Sequence, residues 1–193
     1  MPAKSPKASG PVYQVKITLR HARPPIWRRV LVPGGLNLYT LHQVVQLAMG
    51  WTDSHLHQFI IDRRYYSIPI EESWVPIIDE RRFTLEEIAP YPKRRFEYEY
   101  DFGDGWVHEL VVEKIMPPGP GKKYPQCVKG KRACPPEDVG GVWGYHTFLQ
   151  AIGDPDHEEH HSYLEWIGGG FDPEAFDLDA INERLRRVKA ERP

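Results

Sequence analysis

Alternating apolar and polar positions are the first signal in this chain. In "VYQVKITLR" (residues 12–20), Tyr13, Val15, Ile17 and Leu19 share one face and Gln14, Lys16 and Thr18 the other, the two-residue period of a half-buried strand. After the Pro24-Pro25 break, "IWRRVLV" (26–32) predicts a second strand, antiparallel to the first. The period then becomes helical. Leu41, Val44, Val45, Ala48 and Met49 form one apolar stripe, and Gly50 is placed to end it in a left-handed cap. "HQFII" and "YYSI" predict short strands, residues 69–95 predict loops with one helical turn near Leu85, and "FEYEY" (96–100) alternates again. "MPPGPGKKYP" (116–125) reads as a surface connector, and helical segments are expected at about 145–152, 155–167 and 173–190.

"FEYEYDFGDGWVHELVVEK" predicts a hairpin. With Gly103, Asp104 and Gly105 as a three-residue loop and Gly105 at positive φ, Phe102 would face Trp106, Tyr100 would face His108 and Tyr98 would face Leu110. That register gathers Phe96, Tyr98, Tyr100, Phe102, Trp106 and His108 on one side, with Glu97, Glu99, Asp101 and Glu109 on the other.

The 193 residues, 40% hydrophobic, suit one globular core. The pattern predicts an α+β domain: an antiparallel-rich sheet packed with helices, and a C-terminal helical extension. Residues 1–11 are expected to form a disordered tail. Residues 12–190 are expected to form a single domain, sheet-rich over 12–115, joined by the 116–125 connector to a helical part at 143–190. No apolar window is long enough to span a bilayer and no secretory signal is present, so a cytoplasmic protein with no membrane partner is expected. Cys127 and Cys134 are then free thiols.

Charge is uneven. Residues 1–134 carry 20 basic and 14 acidic side chains, and residues 135–193 carry 5 and 13, so +6 stands against −8. The basic pairs at 28–29, 63–64, 81–82 and 94–95 are scattered, which favours attraction between two parts of one domain over a nucleic-acid surface. A protein or small-molecule partner is expected ahead of nucleic acid.

The blocks "YQVKITLRHARPPIWRRVLVP", "LHQVVQLAMGWTDSHLHQF", "YDFGDGWVHELVVEK", "RACPPEDVGGVWGYHTFLQAI" and "GGGFDPEAFDLDAINERL" resemble, in this order, the plasmid pRiA4b ORF-3-like family. The resemblance implies a compact α+β domain, often found near plasmid or transposon genes and often labelled a TnpR-type resolvase. It brings no established catalytic residues. The chemistry of a recombinase is missing, since Ser5, Ser9, Ser54, Ser67, Ser73 and Ser162 all lie outside arginine-rich surroundings.

"HEEHH" (157–161) matches H-E-x-x-H, with His157 and His161 as ligands, Glu158 as base and Glu183 as a third ligand, but its place in an acidic helix start after Asp154-Pro155 argues against zinc chemistry. "RACPPEDVGGVWGY" (132–145) is expected to cross the sheet, with Glu137 or Asp138 paired to Arg28, Arg29 or Arg132. Three motifs set Trp, His and carboxylates beside glycines: "WTDSHLHQF", "DFGDGW" and "PPEDVGGVWGY". From them one shared cleft is expected at an end of the sheet, built from His55, His57, Asp101, Asp104, Trp106, His108, Glu137, Asp138 and Trp143. The alternative has each motif solving its own turn, with Trp106 and Trp143 as separate core anchors. A metal site would draw on His55, His57, Asp101 and His108, although no bound metal and no cofactor is expected. The function expected is a non-enzymatic binding or accessory module linked to mobile DNA, with a metal-dependent phosphoester hydrolase as the alternative and a site-specific recombinase third.

Overall fold

The computed structural model describes residues 10–69 and 75–188; most of the expected N-terminal tail and the last positions of the expected final helix lie outside them. The elements are β1 (Val12–Leu19), β2 (Trp27–Pro33), α1 (Leu38–Met49), β3 (His57–Ile61), β4 (Arg64–Ser67), β5 (Ile77–Asp79), α2 (Leu85–Ile88), β6 (Arg95–Tyr100), β7 (Trp106–Met116), β8 (Gln126–Lys131), α3 (Gly141–Gly153), α4 (His160–Ile167) and α5 (Leu178–Leu185). The strands form one sheet in the order β5-β4-β3-β6-β7-β1-β2-β8, antiparallel throughout except for the β4–β5 pair. This is an α+β architecture.

One face of the sheet is covered. Val15, Ile17, Val30, Phe59, Tyr98 and Leu110 are fully buried there, together with the apolar positions of α1. The opposite face carries a cross-strand charge ladder: Gln14 and Arg29 bond Glu113, Arg20 pairs with Glu97, and Arg95 pairs with Glu109. Two-residue alternation on β1, β6 and β7 sorts these two populations. Asn37 caps α1 by accepting from the Thr40 N–H, and Gly50 ends the helix at φ 114°.

The hairpin register differs from the expected one by two residues. Tyr100 faces Trp106, Tyr98 faces His108 and Phe96 faces Leu110, so the loop spans Asp101 to Gly105. The shift preserves parity, so the aromatic side stays intact, but Phe102 is exposed at the tip. Asp101 also leaves the acidic face. Its φ of 55° turns the chain, and its Oδ1 accepts from the N–H groups of Gly103 and Asp104, tying the loop around a carboxylate. Gly105 has φ 66°.

The segment before α4 is a correction too. Asp154–Glu159 form consecutive turns, with bonds from His157 N to Asp154 O and from His160 N to His157 O, both 3.0 Å, and the helix begins only at His160. The His160 ring donates from Nδ1 to Ala151 O at 2.8 Å and folds the chain back onto the end of α3. "HEEHH" therefore straddles a turn, and His157 and His161 lack the shared helical face that H-E-x-x-H requires. Strands β5 and β8 were unexpected. On β8, the outward backbone of Cys127 is held by the Asn182 amide of α5, which accepts from Cys127 N at 2.8 Å and donates to Cys127 O at 3.0 Å. Both cysteines are free.

Residues 132–145 cross from β8 to α3 and press on the hairpin tip. A Cβ on Gly141, where φ is 68°, would stand 2.4 Å from the carbonyl oxygen of Asp104. Gly141→Ala is expected to destabilise the fold by at least about 2 kcal/mol, because left-handed strain adds to a clash with rigid backbone. A Cβ on Gly105 meets no atom within 4 Å, so Gly105→Ala should cost only about 1 kcal/mol of left-handed strain. Urea unfolding of the two variants checks the difference; equal effects would remove the close approach as the cause.

Candidate metal centre

Three chain segments converge on His55. The loop from α1 to β3 presents its ring, the hairpin tip presents Asp101, and the crossing segment presents Glu137 and Asp138. Asp138 Oδ1 lies 2.9 Å from His55 Nε2, Asp101 Oδ2 lies 3.7 Å away, and Glu137 Oε2 lies 3.8 Å away. None of these oxygens makes a hydrogen bond to the ring, although Nε2 is closed off from solvent. The carboxylates stand around the nitrogen instead of on its bonding axis.

Each carboxylate is oriented from behind. Glu137 Oε1 accepts from Thr52 N at 2.8 Å and from the Thr52 hydroxyl at 3.1 Å. The Tyr100 hydroxyl donates to Glu137 at 3.1 Å while accepting from Ser54 N at 2.9 Å. Burial pushes the Tyr100 phenol up from its ordinary value, so it remains a donor. Asp101 is held through its other oxygen by Gly103 and Asp104. Asp138, also at positive φ, is 69% exposed on its side chain. Donor atoms of His55, Asp101 and Asp138 lie within 4.8 Å of one another. Ligands bound at about 2.1 Å around one cation are separated by about 3–3.5 Å, so this spacing suits a mixed nitrogen and oxygen coordination shell. The expected pairing of Glu137 or Asp138 with arginine does not occur: Arg28 bonds the carbonyls of Ala48 and Lys131, Arg29 bonds Glu113, and Arg132 pairs with Glu174.

His57 belongs to a different cluster. Its ring stacks on His42 with centroids 3.5 Å apart and planes 5° from parallel. His57 Nε2 bonds the fully buried Glu80 at 2.9 Å, and His42 Nε2 lies 3.0 Å from Asp53 Oδ1. The Tyr98 hydroxyl accepts from Gln46 and donates to His42 Nδ1, both at 2.8 Å. Burial raises the Tyr98 phenol well above its ordinary value and lowers the His42 imidazole, which favours a neutral His42 that donates to Asp53 from Nε2. Donors of His42, Asp53 and His57 also come within 4.8 Å of one another. Stacked rings, however, aim their nitrogens side by side, and both Nε2 atoms are already engaged with carboxylates, so this cluster is a buried polar network. His42, Asp53 and Glu80 were absent from the expected site. A signal for His42 alone was available in "LYTLHQVVQLAM", a helix without an acidic or basic residue besides the histidine, whose His42 and Gln46 are both buried.

The remaining expected site residues disperse. His108 and Trp106 are fully buried in the core, with His108 Nδ1 3.3 Å from Tyr98 O, so neither reaches the His55 cluster as a ligand. Asp104 accepts from Gly140 N at 3.1 Å and braces the hairpin against the crossing. Trp143 is 85% exposed, which excludes it as a core anchor. Together with Asp104 it lines a separate groove of about 1230 Å³. Asp53 borders a smaller cavity of about 370 Å³ beside α1. Among the described residues, no helix is long and apolar enough to cross a membrane.

Two similar proteins carry names that assign no activity. An uncharacterized protein, y4hQ, of Sinorhizobium fredii (strain NBRC 101917 / NGR234) is 40% identical over 181 residues, covering 93% of each chain. The crystal structure of a protein of unknown function, MM3350, from Methanosarcina mazei Go1 matches with a TM-score of 0.80 and 36% identity, covering 88% of this chain and 96% of the other. The family described as plasmid pRiA4b ORF-3-like protein matches residues 11–180, and the chain belongs to that family.

Proposed function

We propose that the chain is a cation-dependent binding module, in which one divalent metal held by His55, Asp101, Glu137 and Asp138 ties the hairpin tip to the crossing segment and presents open positions to a ligand. The observation that carries this reading is His55 Nε2, shielded from solvent, without a hydrogen bond, and surrounded by three carboxylates at 2.9–3.8 Å. One imidazole with carboxylates suits Mn²⁺, Fe²⁺ or Zn²⁺. The family's description names a plasmid open reading frame, and an accessory role on mobile DNA is proposed from that alone. Isothermal titration of the metal-free protein with MnCl₂ and with ZnSO₄ is the test. One ion per chain is expected, with affinity at least about tenfold weaker in Asp138→Asn. Absence of binding by both metals, or unchanged affinity in the variant, would sink the reading.

A hydrolase is the second reading, favoured by the exposure of Asp138, which leaves room for water on the cation. A cation held there by His55, Asp101 and Asp138 would make a bound water more acidic and so supply a nucleophile for a phosphoester. Manganese-dependent release of p-nitrophenol from bis(p-nitrophenyl) phosphate, lost in Asp138→Asn, is the expected sign of it. A metal-loaded protein without turnover would leave only the binding module.

A further inference from the structure

The groove beside Trp143 contains none of the side chains that the cation reading takes as ligands, although it shares the hairpin tip with them. One wall is the β1–β2 connection, the other is the start of α3, and Asp104 and Gly105 of the hairpin tip complete it. At about 1230 Å³ it exceeds the roughly 300–1,000 Å³ of a small-molecule pocket and has room for a segment of polymer. Trp143 rises from the first turn of α3 into this space and stacks on no ring among the described residues. An indole left this open on a concave wall is a ready stacking surface.

Charge selects the occupant. Arg20, His21, Arg23 and His146 line the groove, and Asp104 is the one acid with them. Arg20 is engaged by Glu97 and Glu109, and Asp104 already accepts from Gly140 N. Arg23, His21 and His146 are exposed and make no ion pair among the described residues. The Arg23 guanidinium and the imidazole edges of His21 and His146 stand here beside a π surface and the apolar rings of Pro24 and Pro25. That combination matches a polyanion carrying planar groups, since bases stack on indole while phosphates face the cations. An acidic peptide would answer the charge but leave the indole without a regular partner.

We infer that this groove binds single-stranded nucleic acid, with a base stacked on Trp143 and the backbone running past Arg23. This goes beyond the cation reading and does not depend on it. The test uses the full chain and fluorescein-labelled dT12 and rU12, followed by anisotropy from 50 mM to 200 mM salt. Trp143→Ala is expected to weaken binding by about five- to hundredfold. Arg23→Ala should lessen the slope of log affinity against log salt by about 0.7, the loss of one phosphate contact. Both side chains are exposed, so thermal melts of the variants should match the parent. No binding of either oligonucleotide, affinity unchanged in Trp143→Ala, or tighter binding of an alternating Glu-Tyr peptide would overturn the proposal. The titrations are run in EDTA, with the cation site empty, which keeps this test apart from that of the cation site.

Discussion

Glu80→Ala is expected to destabilise the protein by about 2–4 kcal/mol, because it leaves a cavity and an unpaired polar edge on a buried ring. Glu80 is fully buried in the 3-10 turn Glu80–Arg82, and its carboxylate holds His57 Nε2 at 2.9 and 3.1 Å. Without it, the polar edge of His57 faces a void next to a stacked ring, and water has little access to compensate. Glu80→Gln keeps an oxygen acceptor beside His57 Nε2 and should cost less. Equilibrium urea unfolding measures both, and a loss below about 1 kcal/mol for Glu80→Ala would mean that the pair contributes little to the fold.

Mild acid is expected to destabilise the protein through a different histidine. Burial lowers His108 from 6.5 to about 4, outweighing the bonds to the Tyr98 and Trp106 backbones. A depressed histidine is neutral when folded, so between pH 6.5 and 4 the unfolded chain binds more protons at this position. The stability it contributes is complete above about pH 6.5 and is lost as pH falls toward 4. The loss is about 2 kcal/mol between pH 7 and pH 5, approaching about 3 kcal/mol near pH 4. His42, lowered by burial, adds in the same direction. In urea unfolding at pH 7 and pH 5, His108→Gln should flatten this dependence by about that amount. An identical slope in the variant would exclude His108 as its source.

Sequence patterning resolved the parts of the fold that rest on short-range periodicity. The alternation of β1 and β6, the stripe on α1 and the cap at Gly50 each depend on neighbours within a few residues. Strand β8 was hidden because it is an edge strand rich in lysine and glycine, where burial imposes no strict alternation. The hairpin shift has a local cause. Asp101 takes up the turn with its own side chain, making the loop two residues longer at no cost to the aromatic face. His55, Asp101, Glu137 and Asp138 stood out as polar groups in glycine-bearing loops. Their convergence required knowing that the crossing packs on the hairpin tip, a contact between residues 36 positions apart. His57 was separated from His55 by the strand start between them, which turns one ring into the interior and leaves the other in the loop.

The Asn182 clasp on β8 gives the sheet a stopper at that end. A side-chain amide occupies the donor and acceptor that a further strand would read, so growth of the sheet ends within the molecule. The stopper is carried by the last helix, however, and that helix is held to the strand it guards. Any event that melts or clips α5 therefore converts a finished edge into a template for another chain. Polymerisation of this protein under stress should start at β8, where the template is six residues long, and not at β5, where it is three.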